Sequence, residues 1–143
     1  MTFVAFSILI CIKCEMMKGL ILQLTPITKA MADESRLRVL SALSLGELCL
    51  CQIVALLELA PSTVSRHMGV LVGAELVVTR KAGKWTYYTL NNTRQPGIIK
   101  HTLKWLEKVR EDDPVWLADQ KKLAVICEQD PSELCEITYG KSE

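Results

Sequence analysis

The sequence runs to 143 residues, half of them hydrophobic, with 17 basic and 16 acidic side chains and a formal net charge of +1. That length supplies one hydrophobic core and argues against a second independent domain. A near-neutral total points by itself to neither nucleic acid nor membrane, but the charge is unevenly spread. Between residues 62 and 94 stand Arg66, Arg80, Lys81, Lys84 and Arg94 against Glu75 alone, whereas from Glu111 to Glu136 eight acidic residues face only Lys121 and Lys122. The basic middle is where a polyanion would bind.

In chain order, Phe3 to Ile12 is an apolar run of ten residues, too short to cross a bilayer and without a basic stretch before it. It reads as a buried or interfacial segment. Met16 and Met17 are alternative translation starts, so whether residues 1–15 are translated stays open. Thr25 and Pro26 resemble a helix cap and first helical residue, and Asp33 with Glu34 offers a second start leading into Leu37, Leu40 and Leu43. Two helices, or one broken helix, are expected over 16–44. After Gly46, the positions of Leu50, Ile53, Val54 and Leu57 mark one buried face of a short helix. Ala60 and Pro61 open the next, with Val64, His67, Met68 and Leu71 on one face and Ser62, Ser65, Arg66 and Gly69 on the other.

From Leu76 the residue types become those of strands. Leu-Val-Val-Thr-Arg and Trp-Thr-Tyr-Tyr-Thr-Leu are separated by Lys81-Ala82-Gly83-Lys84, which predicts a hairpin with a basic tip. Trp85, Tyr87 and Tyr88 are expected to pack within it. Pro96 opens a helix to about Arg110, and Asp113-Pro114 interrupts it before a weaker amphipathic helix through Ile126. The divisions expected are an apolar segment over 1–15, one domain over 16–111, and an acidic tail with two cysteines over 112–143.

Two short helices joined by a tight turn, then a hairpin with cations at its tip, follow the order of a winged helix-turn-helix module, an α+β fold that is mainly helical with a two-stranded wing. A recognition helix needs a short polar outer face to enter the major groove, which Ser62, Thr63, Ser65 and Arg66 supply. Arg80, Lys81 and Lys84 are then expected to reach phosphates and fix its register. No catalytic constellation stands out.

Four stretches carry a resemblance: Ala-Asp-Glu-Ser-Arg-Leu-Arg-Val-Leu (32–40), Gly-Glu-Leu-Cys-Leu-Cys (46–51), Thr-Val-Ser-Arg-His-Met-Gly-Val-Leu (63–71) and Gly-Lys-Trp-Thr-Tyr-Tyr-Thr-Leu (83–90). In order and spacing the chain resembles the ArsR/SmtB family of metal-responsive repressors over about residues 16–110. The resemblance implies a homodimer paired through the first and fifth helices, repressing transcription from an inverted-repeat operator in double-stranded DNA near a metal-resistance operon. Ala60-Pro61 departs from the Ser-Gln of many relatives. Proline suits a first helical position but offers no side-chain hydrogen bond, so it bears on the operator sequence read.

The cysteines stand at 11, 14, 49, 51, 127 and 135. With a core that needs no staples, they are read as thiols of a reducing cytoplasm, open to metal or redox chemistry. On a regular helix Cys49 and Cys51 would point about 200° apart, so both could grip one ion only if the helix unwound. A place near a helix N-terminus favours the thiolate. Within Glu-Leu-Cys-Leu-Cys, the resemblance makes Cys49 and Cys51 ligands of arsenite or antimonite, acting as inducer; no cofactor is expected for DNA binding. Arsenite is expected to take three sulfurs. Some relatives place a third cysteine where this chain has Val54, and Gln52 stands where Asp is common. The third thiolate is therefore expected from Cys127, Cys135, Cys11 or Cys14, with the tail favoured. Cadmium, lead or zinc sensing, and thiol-redox sensing, are the alternatives on the same fold; a protein-interaction or structural zinc module is the alternative of another class. His101 lacks the companion ligands of the family's zinc sensors, and His67 is expected to be a packed core residue.

Overall fold

The computed structural model describes residues 19, 21–92 and 97–140. The expectations for Phe3 to Ile12, Cys11, Cys14, Met16, Met17, Arg94 and Pro96 fall outside these residues.

Helix α1 covers residues 21–31. Pro26 lies inside it and does not open it, because a turn already precedes: the Thr25 hydroxyl donates back to the Ile21 carbonyl at 2.9 Å, in place of capping. Asp33 does cap α2 (Glu34–Leu43), its carboxylate accepting from the Arg36 backbone N–H at 3.0 Å. The Arg36 guanidinium donates to the carbonyls of Ala30 and Lys29 at the end of α1. One Asp-x-x-Arg turn thus closes one helix and opens the next.

After β1 (Leu48–Cys49) come α3 (Leu50–Leu57) and α4 (Pro61–Gly73), with Ala60 at the cap of α4 and Pro61 at its first position, where a missing N–H costs nothing. Strands β2 (Val77–Ala82) and β3 (Trp85–Leu90) pair antiparallel from Val77 opposite Leu90 to Ala82 opposite Trp85. Gly83, at φ 61°, provides the left-handed residue of the two-residue turn. The expected two-stranded wing is β2 and β3, and the sheet gains a third strand, in the order β1-β3-β2, because Leu48 and Cys49 pair with Tyr88 and Tyr87. A two-residue strand leaves no alternation to read in sequence.

Helices α5 (Gly97–Val109), α6 (Pro114–Glu128) and α7 (Pro131–Tyr139) complete the described chain. Leu40, Ile53, Leu56, Met68, Leu71 and Leu76 are fully buried where α2, α3, α4 and the base of the hairpin meet. Leu123, Ile126 and Leu134 join the same core from α6 and α7. A buried Asp119 accepts from Nε and Nη2 of Arg38, each at 2.8 Å, fastening α6 to α2. That hydrogen-bonded carboxylate raises the Arg38 pKa despite partial burial. The Lys122 ammonium donates to the Leu56 carbonyl at 2.9 Å and so ties α6 to the end of α3. Among the described residues, no helix is long and apolar enough to cross a membrane.

Candidate DNA interface and thiol site

Helix α4 buries Val64, Met68 and Leu71 and turns Ser62, Ser65, Arg66 and Gly69 outward, as its 3.6-residue period requires. Thr63 is half-buried. Arg66 makes no hydrogen bond or ion pair with another described residue, so its guanidinium is available to a ligand outside the chain. His67 is half-buried, but its setting is polar: Nδ1 lies 3.2 Å from an Arg36 nitrogen and 3.7 Å from an Asp33 oxygen. It belongs to the junction of α1, α2 and α4 and is not a purely apolar core residue.

The three expected wing cations sit in different surroundings. Arg80, on β2, makes a two-pronged hydrogen-bonded pair with Glu47 and lies 4.4 Å from the centroid of the Tyr87 ring. The pair lowers the Glu47 pKa and raises that of Arg80. Lys81 and Lys84 are exposed at the tip, with the Lys84 ammonium 5.1 Å from the centroid of the Trp85 ring. Tyr88 is buried while Trp85 and Tyr87 are half-buried, so the aromatics serve the hairpin's packing. Burial, followed by the neighbouring Tyr139, pushes the Tyr88 phenol up. The Glu47 partner of Arg80 was not anticipated from sequence; it depends on the Arg80 side chain lying across Tyr87 of the central strand β3 to reach the residue before β1.

The thiols correct the helical argument. Cys49 is the extended N-cap of α3, at φ −84° and ψ 163°, and only Cys51 lies within the helix. The 200° separation of a regular helix therefore does not apply, and no unwinding is needed to change the spacing of the two sulfurs. Gln52 has a role invisible in sequence: its side-chain oxygen accepts from the Cys49 backbone N–H at 2.9 Å, holding the strand-to-helix turn. Both cysteines are buried, at 1% and 2% exposure.

Helix α7 brings Cys135 to Cys51, and the two form a disulfide with a Cα separation of 5.4 Å across 84 residues of sequence. Cys49 and Cys127 are free. Cys127 is exposed, and partial desolvation, followed by the nearby Cys49, pushes its thiol up. Among the described residues, no three His, Cys, Asp or Glu side chains are gathered so as to hold a metal ion. The tail expected to supply a third thiolate thus lies against the Cys49–Cys51 segment, but with Cys135 bonded to Cys51. Helix α7 itself was not foreseen, although Asp130-Pro131 repeats the Asp-Pro start of α6; the Asp130 carboxylate accepts from the Ser132 N–H at 3.0 Å.

Paired helices α3 and α4, with the polar face of α4 open and a β-hairpin bearing cations beside it, define a winged helix-turn-helix DNA-binding protein. The model of the bacterial regulatory proteins of the arsR family matches residues 33–79, from the cap of α2 into β2. The arsenical resistance operon repressor of Escherichia coli is 33% identical over 116 residues, covering 75% of this chain and 91% of that protein. Its Staphylococcus aureus counterpart is 42% identical over 79 residues, covering 55% of this chain and 76% of that protein. Among solved structures, reduced HlyU from Vibrio cholerae superposes with a TM-score of 0.58 at 31% identity, over 68% of this chain and 99% of that one. The chain belongs to the ArsR family of DNA-binding transcriptional repressors, and it is not an enzyme.

Proposed function

We propose that the chain represses an arsenic-resistance operon from the cytoplasm as a homodimer on an inverted-repeat operator, and leaves that DNA when arsenite or antimonite is captured by Cys49, Cys51 and Cys135. The observation that carries the choice of third thiolate is the course of the tail, which returns over α3 and sets Cys135 beside Cys51. Once reduced, that pair offers two sulfurs from distant parts of the chain, with Cys49 two residues from one of them; soft thiolates of this kind suit a soft trivalent ion. Ser62, Thr63, Ser65 and Arg66 read the major groove, and Lys81 and Lys84 hold phosphates, with Arg80 a lesser contributor while Glu47 occupies it. No cofactor is needed for DNA binding.

Dimerisation is supported by unpartnered apolar surface. Ile21, Leu22 and Leu24 on α1 and Trp105 and Val109 on α5 are exposed, and an apolar groove runs between the two helices past Met31 and Ile98. A second reading, a repressor released by thiol oxidation, is favoured by the Cys51–Cys135 disulfide itself. Mobility shifts of an operator duplex under graded arsenite, antimonite, cadmium and hydrogen peroxide separate the two readings. Arsenite should release the reduced protein, and Cys49→Ser or Cys51→Ser should abolish the response. Release by cadmium or peroxide alone, or normal induction of both serine variants, would overturn the assignment.

A further inference from the structure

Helix α7 does more than deliver a sulfur. It spans from the start of α3 to the wing, where Ser132, Cys135, Glu136 and Tyr139 form one wall of a cleft of about 320 Å³ and Lys84 and Trp85 form the other. Its hold on the body is thin. Leu134 is its only buried side chain, and Ile137 and Tyr139 are exposed. One buried leucine does not offset the entropy of ordering nine residues, so the link between Cys51 and Cys135 decides whether the helix stays in place. The helix carries Glu133 and Glu136 and no cation, and the wing residue across the cleft is Lys84, one of the two tip lysines not paired with an acidic side chain.

We propose that α7 is a sulfur-latched acidic arm: joining Cys51 to Cys135 holds Glu136 on the cleft wall facing Lys84, so that the wing faces a carboxylate where it would otherwise approach a DNA phosphate. The inference rests on the inducer reading above for one trigger and on the disulfide for another. With arsenite, each thiol forms a sulfur–arsenic bond as an arsenic–oxygen bond breaks. The thiol proton leaves with the hydroxide as water, and no electrons are transferred. With hydrogen peroxide, the two thiols lose two electrons and two protons in forming the disulfide, and the peroxide becomes two waters. Either way the arm closes on the wing, and opening the link frees it.

The test uses the full chain and a labelled duplex selected from a randomised pool by the reduced protein. Affinity is measured for the reduced, arsenite-treated and peroxide-treated protein, with the Cys51–Cys135 link followed by intact mass and non-reducing electrophoresis. The wild-type chain should lose about tenfold in affinity when linked, within the usual span of coupling between two sites. The double variant Glu133→Gln/Glu136→Gln, whose helix content is checked by circular dichroism, should form the link equally well yet lose only about twofold, because its arm no longer opposes phosphate. If the variant is released as fully as wild type, or if linked wild-type protein holds the duplex as tightly as reduced protein, the arm is refuted. Release by peroxide but not arsenite, blunted in the variant, would sink the arsenite reading and leave the arm standing. Release by both, blunted in neither case, would leave the arsenite reading standing and sink the arm.

Discussion

Arg66 stands exposed on the outer face of α4 with no described partner, so its removal takes nothing from the fold and everything from a base or phosphate contact. Arg66→Ala should weaken operator binding by about 1 to 3 kcal/mol with unchanged thermal stability. Titration of the purified variant against operator DNA checks this; wild-type affinity would mean that the helix docks on another face. The serines beside Arg66 were legible because helical period alone assigns them to the polar side. Cys127 behaves differently. Although Cys127 is exposed, its thiol is pushed up, first by partial desolvation and then by Cys49, so a smaller fraction is thiolate at neutral pH. In the reduced protein, iodoacetamide should therefore modify Cys127 more slowly than free cysteine at pH 7, the gap narrowing as the pH passes above the ordinary thiol range. Mass-resolved labelling across pH tests the sign.

At the scale of elements, the wing divides its cations by what the rest of the fold offers them. Arg80 is already paired with Glu47 and stacked on Tyr87, whereas Lys81 and Lys84 remain exposed at the tip. Replacing both lysines with glutamine should flatten the slope of log affinity against log salt by up to about two per bound subunit if each meets one phosphate. Arg80→Gln should change the slope less, because its charge is balanced before DNA arrives. Affinities measured from low to moderate salt distinguish the two variants. The hairpin could be read from strand-forming residues around a glycine turn. Its third strand could not, since β1 is defined only by pairing with Tyr88 and Tyr87. Asp-Pro marks where α6 and α7 begin, but how α6 docks came from the fold: the buried Asp119–Arg38 pair, the Lys122 bond to the Leu56 carbonyl and the buried Leu123 and Ile126 hold it to the body.

For the whole molecule, the exposed apolar faces of α1 and α5 are a demand that one chain leaves unmet, with Leu22 at 73% and Trp105 at 58% exposure. Trp105→Glu should shift a dimer to monomer at micromolar concentration and weaken operator binding with it, since a charge buried at a subunit contact without a partner costs several kcal/mol. Sedimentation velocity provides the measurement; a dimer of wild-type strength would place the contact elsewhere. What the sequence determined by itself is what local periodicity and short motifs encode: the order of the helices up to α6, the polar face of α4, the basic hairpin tip, and the Cys-x-Cys segment whose neighbours carry the family resemblance. Tertiary structure alone decided how distant parts meet. It took Cys49 out of the helix and into a strand, gave Gln52 the Cys49 N–H, paired Arg80 with Glu47, and carried Cys135 back across 84 residues to Cys51. The physical reason is range. Backbone hydrogen bonding and side-chain period act over a few residues and leave their mark in the chain, whereas pairing between remote groups depends on how packed elements are oriented around a common core.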